Sequence, residues 1–234
     1  MSLEISEKAG VRYLHFGSEL VQGAMRIARP WALELEYTRE LMFPLLLRPE
    51  SWPRAVLQVG LGAASTAKFL FRHRPRARIT VVELDADVPA AARAFFRMPD
   101  DPRLRIEIGE GHEFISSTRS QFDLLVVDGF DAEGRPGMLD QAPFYHACRQ
   151  RLRERGLVAI NLIDRGRNLA PCQERLRAAF DGQVRVLPRN PGGNTIVIAG
   201  EGVLSASIDA MHVAAEKLKA ATGLDLAPTV ARMS

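Results

Sequence analysis

The chain is poor in the residues that mark several classes of protein. It has only two cysteines, Cys148 and Cys172, and they do not form a C-x-x-C pair. That excludes a disulfide scaffold, and both read as reduced packing residues. The five histidines (His15, His73, His112, His146 and His212) are scattered, so no metal site is expected. Aromatic residues make up 7% of the chain and do not interleave with the basic ones, as they do on nucleic-acid surfaces. No apolar run approaches the roughly 18 residues of a membrane span. Glu4, Glu7 and Lys8 stand where a signal peptide needs an apolar segment. There is no G-x-S-x-G elbow, no P-loop and no Ser-His-Asp grouping. The expectation is a cytoplasmic protein that binds neither membrane nor nucleic acid.

What is present is ordinary for a packed globular chain: 234 residues, 47% hydrophobic and 25% charged, with a net charge of +3. Arg149, Arg151, Arg153, Arg155, Arg175 and Arg177 are dispersed among acids, which describes a solvated surface better than a polyanion-binding patch.

Residues 1–50 read as a short N-terminal β-hairpin and a linker helix. Two alternating segments, Val11–Phe16 and Leu20–Ile27, are separated by Gly17 and Ser18. Leu33, Leu35, Tyr37, Leu41 and Met42 then share a helical face, and Pro49 and Pro53 close the segment. Residues 51–203 alternate apolar strands with helices. Strands are expected over 55–60, 77–85, 104–109, 122–129 and 156–164. Helices are expected over 65–74, around AARAFF, over about 139–154 and over 169–180. Runs this apolar need a parallel sheet covered on both faces. QVRVLPR and NTIVIAG, split by the turn NPGG, then make an antiparallel hairpin. The expected fold is therefore α/β: a Rossmann-like, doubly wound, mostly parallel seven-stranded sheet. It is similar in topology to the class I S-adenosylmethionine-dependent methyltransferases. Residues 204–234 read as a helical extension, with Ile208, Met211, Ala215 and Leu218 on one face.

In such sheets ligands bind beyond the carboxyl ends of the strands. The first end, Gly60-Leu61-Gly62-Ala63-Ala64-Ser65, is a tight turn leading into a helix N-terminus. The second carries Glu83, 23 positions after Gly60, the distance at which an acid accepts both ribose hydroxyls; Asp85 suits a helix cap. In the third, Glu110 lies between Gly109 and Gly111, where it can meet an adenine amino group. The fourth ends in Asp128-Gly129-Phe130-Asp131. Two acids there can hold a cation or take the proton of an amine nucleophile.

In order, VLQVGLGAAS, VVELD, DDPRLRIEIGEG, FDLLVVDGFD and APFYHACRQRL resemble the spermidine synthase family (polyamine aminopropyltransferases), from about Gln22 to Gly200. The resemblance implies transfer of an aminopropyl group from decarboxylated S-adenosylmethionine to putrescine or a related amine. A homodimer is expected, since the short hairpin can pair across a two-fold, and no metal. Gly60, Gly62 and Gly111 would shape the adenosyl pocket. Glu83 would bind the ribose, and Glu110 would face the adenine. Asp128 would contact the donor and receive the attacking amine's proton, and Asp131 would help hold the amine. Gln22 and Tyr37 would line the substrate side. Three positions depart from the family. Ala63 stands where an aspartate grips the donor's amine, Glu110 replaces an aspartate, and Ala132 replaces a proline. The alternatives are a methyltransferase using ordinary S-adenosylmethionine on a small molecule, and a non-catalytic adenosyl-binding homodimer.

Overall fold

A computed structural model describes residues 3–17, 21–130, 135–164 and 168–233. It opens with a three-stranded antiparallel sheet in place of a simple hairpin: β1 (Leu3–Lys8), β2 (Val11–Phe16) and β3 (Gly23–Arg26), in that order. The expected pairing of the two alternating segments is present as β2 and β3, although β3 starts later than Leu20. β1 was not anticipated. It joins β2 through Ala9 and Gly10, both at positive φ, the geometry of a two-residue hairpin turn. Its charged residues face solvent on an edge, so its sequence carries little apolar signal. Leu14 and Met25 of this sheet pack against Ala63 and Phe96, which docks the sheet on the glycine turn.

The linker helix is shorter than its apolar pattern suggests. Only Glu36–Glu40 is α-helical (α1), and Phe43–Leu46 forms a 3₁₀ turn. Pro44 removes a backbone donor and disfavours helical geometry at the residue before it. Phe43, Leu45 and Leu46 are all buried, so the periodicity there reports burial on several sides.

The central sheet is built from β4 (Ala55–Val59), β5 (Arg78–Glu83), β6 (Leu104–Ile108), β7 (Phe122–Val127), β8 (Leu152–Ile163), β9 (Val184–Val186) and β10 (Asn194–Ala199). Their order is β6-β5-β4-β7-β8-β10-β9. The first five strands are parallel, and β10 runs antiparallel between β8 and β9. Alternate residues fill two cores. Val56, Val81, Leu124 and Ala159 face the layer of α2 (Ser65–His73), α3 (Asp87–Phe96) and α7 (Ile208–Thr222). Leu57, Val82, Leu125 and Val158 face that of α5 (Ala142–Gln150) and α6 (Ala170–Ala179).

Two short helices, α4 (Gly111–Ser117) and α8 (Ala227–Ala231), were not expected. The helix read over 139–154 is broken: Gly137–Asp140 is a 3₁₀ turn, α5 ends at Gln150, and residues 152–154 already belong to β8. Pro143 sits in the first turn of α5, where it has no intrahelical N–H to forfeit. Met211, Ala215 and Leu218 of α7 are buried as its pattern indicated. The chain leaves β4 toward β5 and returns to β4's other side as β7, so the strand order reverses between β4 and β7.

Candidate active site

A cleft of about 720 Å³ lies over this reversal. Gly60, Gly62, Glu83, Glu110, Gly111, Asp128, Gln22 and Tyr37, all singled out from the sequence, line it together. Asp131 and Ala132 lie outside the described residues.

The glycine turn is dictated by crowding. Gly60 has φ +87°, and a Cβ there would come 2.3 Å from the carbonyl oxygen of Asp128. Only glycine lets the ends of β4 and β7 approach this closely. Gly60→Ala is therefore expected to destabilise the fold by at least about 1–2 kcal/mol, from positive φ alone. Urea unfolding should show a lower midpoint at unchanged slope; an unchanged midpoint would mean the turn relaxes freely. On the other side Gly23 backs onto the turn. A Cβ on Gly23 would meet that of Ala63 at 2.6 Å, and Ala63 is itself buried.

Glu83 closes the turn from β5. Its Oε2 accepts the Leu61 N–H at 2.7 Å and its Oε1 accepts the Asp85 N–H at 3.0 Å. Burial pushes its carboxyl above the usual carboxylate range, against the pull of the backbone N–H groups of Asp85, Leu61 and Leu84. With the N–H groups of Leu61, Asp85 and Leu84 all bearing on it, the carboxylate has room for about one further hydrogen bond, since a carboxylate accepts about four. Asp85 accepts the Asp87 N–H at 2.9 Å just ahead of α3, but the N-cap position itself is Ala86 and not Asp85. Glu110 caps α4, accepting the Glu113 N–H at 2.8 Å. It also lines the cleft.

Asp128 follows β7 and keeps part of its surface open to the cleft. Asn161 donates Nδ2–H to its Oδ1 at 2.8 Å, and the Tyr37 hydroxyl donates to it as well. Burial outweighs these two bonds and pushes the Asp128 carboxyl up to about 6. Desolvation and the neighbouring carboxylate hold the Tyr37 phenol well above its ordinary range, so it stays a donor.

Asn161 was missed in the sequence. Its one signal is a polar residue interrupting the apolar run GLVAINLID. Asn190, read as part of a turn, and Asn194, read as the start of a strand, also line the cleft. Asp164 and Arg189 pair with each other at its rim. No group of three or more His, Cys, Asp or Glu suited to a metal ion occurs among the described residues.

Residues 34–162 match the family model of the spermine/spermidine synthase domain. A polyamine aminopropyltransferase of Neisseria meningitidis serogroup A is 34% identical over 223 residues, covering 94% of this chain and 84% of that one. The chain belongs to the spermine/spermidine synthase family. The fold agrees. A probable spermidine synthase from Corynebacterium glutamicum superposes with TM-score 0.76 at 21% identity, over 95% of this chain and 91% of that one. A spermidine synthase solved with the transition-state analogue AdoDATO does so with TM-score 0.65 at 21% identity, over 94% and 88%. In the described residues no helix is long and apolar enough to cross a membrane.

Proposed function

We propose that this protein is an aminopropyltransferase that moves an aminopropyl group from decarboxylated S-adenosylmethionine to putrescine or a related amine. The carrying observation is Asp128, which lines the cleft and whose carboxyl is pushed up by burial to about 6. Such a group is mostly ionised at neutral pH yet more basic than an ordinary carboxylate, which suits it to accept a proton from an amine.

The residues present fit an adenosyl donor. Glu83 lines the cleft at the end of β5 with acceptor capacity left for a ribose hydroxyl, and Glu110 borders the same space. When bound, the donor supplies a carbon activated by its sulfonium. The amine nitrogen bonds to that carbon, the carbon–sulfur bond breaks with its electrons going to sulfur, and Asp128 receives the proton lost from nitrogen. The sulfonium needs little help in leaving, so positioning and one base suffice. Tyr37 and Asn161 hold Asp128 for that task. Gln22 lines the acceptor side, and the family's pattern assigns Asp131 to help hold the amine. We place the enzyme in the cytoplasm as a homodimer.

Donor choice is expected to be loose. Ala63, buried against Gly23, offers no carboxylate to attract the donor's amine or repel the extra carboxylate of ordinary S-adenosylmethionine. The following N-terminus of α2 favours an anion. The affinities of the two donors should agree within about tenfold, or ~1.4 kcal/mol. Calorimetric titration with each donor measures this. A preference for the decarboxylated donor beyond about a hundredfold would mean that another acid does the aspartate's work. The function itself is tested by product masses after incubation of each donor with a panel of amines. Products one aminopropyl unit heavier than the amine are expected. Methylated products, or tight adenosyl binding with no product, would overturn the reading.

A further inference from the structure

Asp128 is one end of a hydrogen-bonded chain that runs from the cleft to the last helix. Asn161, which donates to Asp128, accepts Nδ2–H of Asn194 on its Oδ1 at 2.9 Å. The Asn194 backbone N–H donates to Asn190 Oδ1 at 3.0 Å, and Asn190 Nδ2–H donates to Glu40 Oε2 at 2.7 Å. Glu40 has no exposed surface, and Asn161, Asn190 and Asn194 are all buried. The other Glu40 oxygen receives the Arg232 guanidinium, and the Thr229 hydroxyl at 3.4 Å. Residues at the C-terminal end of the fold thus meet a helix that borders the cleft.

The second donor to Asp128 has the same anchor. Tyr37 and Glu40 both lie on α1, three residues apart. α1 has five residues and no side-chain N-cap, too short to hold its own orientation. Glu40 fastens it from within the core, and Arg232 adds a second hold at 3.1 Å through Glu36. The asparagine arm fixes a different variable. A flipped Asn161 amide would set its carbonyl oxygen against the Asp128 carboxylate, and the Asn194 donor forbids that flip.

We propose that Glu40 is a positioning residue for Asp128, acting through α1 on the Tyr37 hydroxyl and through Asn190 and Asn194 on the Asn161 amide. The proposal rests on the reading of Asp128 as the base, but its geometry can be read without turnover. A fully buried carboxylate is seldom a net gain for stability, so a role beyond packing explains why one sits here. Among the described residues, Tyr37 is the titratable group bonded to Asp128. Arg232 and Glu36 are the charged groups around Glu40, and burial raises the Glu40 carboxyl against the pull of Asn190 and Arg232.

The test follows the Asp128 carboxyl carbon by NMR in protein labelled at the aspartate side-chain carbon, its signal assigned by its loss in Asp128→Asn. The wild-type midpoint should lie near the value set by burial, about 6. In Glu40→Gln the single amide oxygen can keep only one of the two arms and the charge facing Arg232 is lost, and in Asn190→Ala the asparagine arm alone is cut. Each should raise the midpoint, by about threefold to tenfold in the proton equilibrium, since less hydrogen bonding reaches the anion. Asn190→Ala keeps Glu40 and Arg232 paired, so it serves if Glu40→Gln does not fold. A midpoint equal to wild type in folded Asn190→Ala, whatever its melting temperature, would overturn the proposal. Absence of aminopropyl transfer by the wild type would instead sink the base assignment and leave the midpoints as they are.

Discussion

Asp128→Asn should bind methylthioadenosine nearly as the wild type does and lose turnover by about 10²–10⁴-fold, the usual contribution of a positioned base. Asparagine keeps the shape and can still accept from Tyr37, but it cannot take the proton released as the amine nitrogen bonds to carbon. The pH dependence gives a second reading. Because burial raises the Asp128 carboxyl to about 6, wild-type kcat/KM should climb through that pH and level above it, and fall below it as the base is protonated. The variant should lack this limb. Stability should move the other way. With the folded pKa raised, the native protein binds more protons than the unfolded chain between the ordinary carboxylate range and about pH 6. Ionised Asp128 therefore works against folding as pH rises through 6. Asp128→Asn should accordingly melt no lower than wild type at pH 7. Full rate in the variant near neutral pH would make Asp128 structural and remove the centre of the mechanism.

What could be read without coordinates was local. Gly60, Glu83, Glu110 and Asp128 each terminate an apolar strand, and a strand end in a parallel sheet is a functional address whatever the distant packing. Tyr37 and Gln22 were reached through the family's pattern and not through their own surroundings. Partnerships across long stretches of chain were invisible. Glu40 meets Asn190 and Arg232 from 150 and 192 positions away, and nothing in YTREL or NPGGN announces it. Asn190 read as a turn former because turn residues and buried hydrogen-bonding residues are the same residue types, and Asn194 read as the start of a strand. Asn161 could have been found, since one amide inside an otherwise apolar central strand must have a partner. β1 escaped for the opposite reason: an exposed edge strand needs few apolar residues, and its alternation is carried by Leu3 and Ile5 alone. The length of α1 was misjudged because the apolar residues after it are buried from several directions, which mimics a helical stripe until Pro44 is weighed.

Glu83→Ala should weaken binding of methylthioadenosine by roughly tenfold to a hundredfold, about 1.5–3 kcal/mol for removing a charged, two-pronged hydrogen-bond acceptor from a sheltered cleft. The structure adds a second cost. The same carboxylate receives the Leu61 and Asp85 N–H groups, so alanine also frees the glycine turn and leaves two backbone donors without their partner. Glu83→Gln separates the effects. Its one amide oxygen can keep one of the two N–H bonds, while the negative charge and the second acceptor are gone. Glutamine should therefore fall between wild type and alanine in affinity, and closer to wild type in melting temperature. A protonated carboxyl accepts less well, and burial raises the Glu83 pKa. Wild-type affinity should thus decline on acidification at a higher pH than an ordinary carboxylate would give, and Glu83→Gln should not show that decline. Calorimetric titrations across pH, with circular dichroism as a control for folding, measure all three proteins. Equal affinities in folded wild type, Glu83→Gln and Glu83→Ala would assign the ribose to another group and leave Glu83 as the clamp of its own turn.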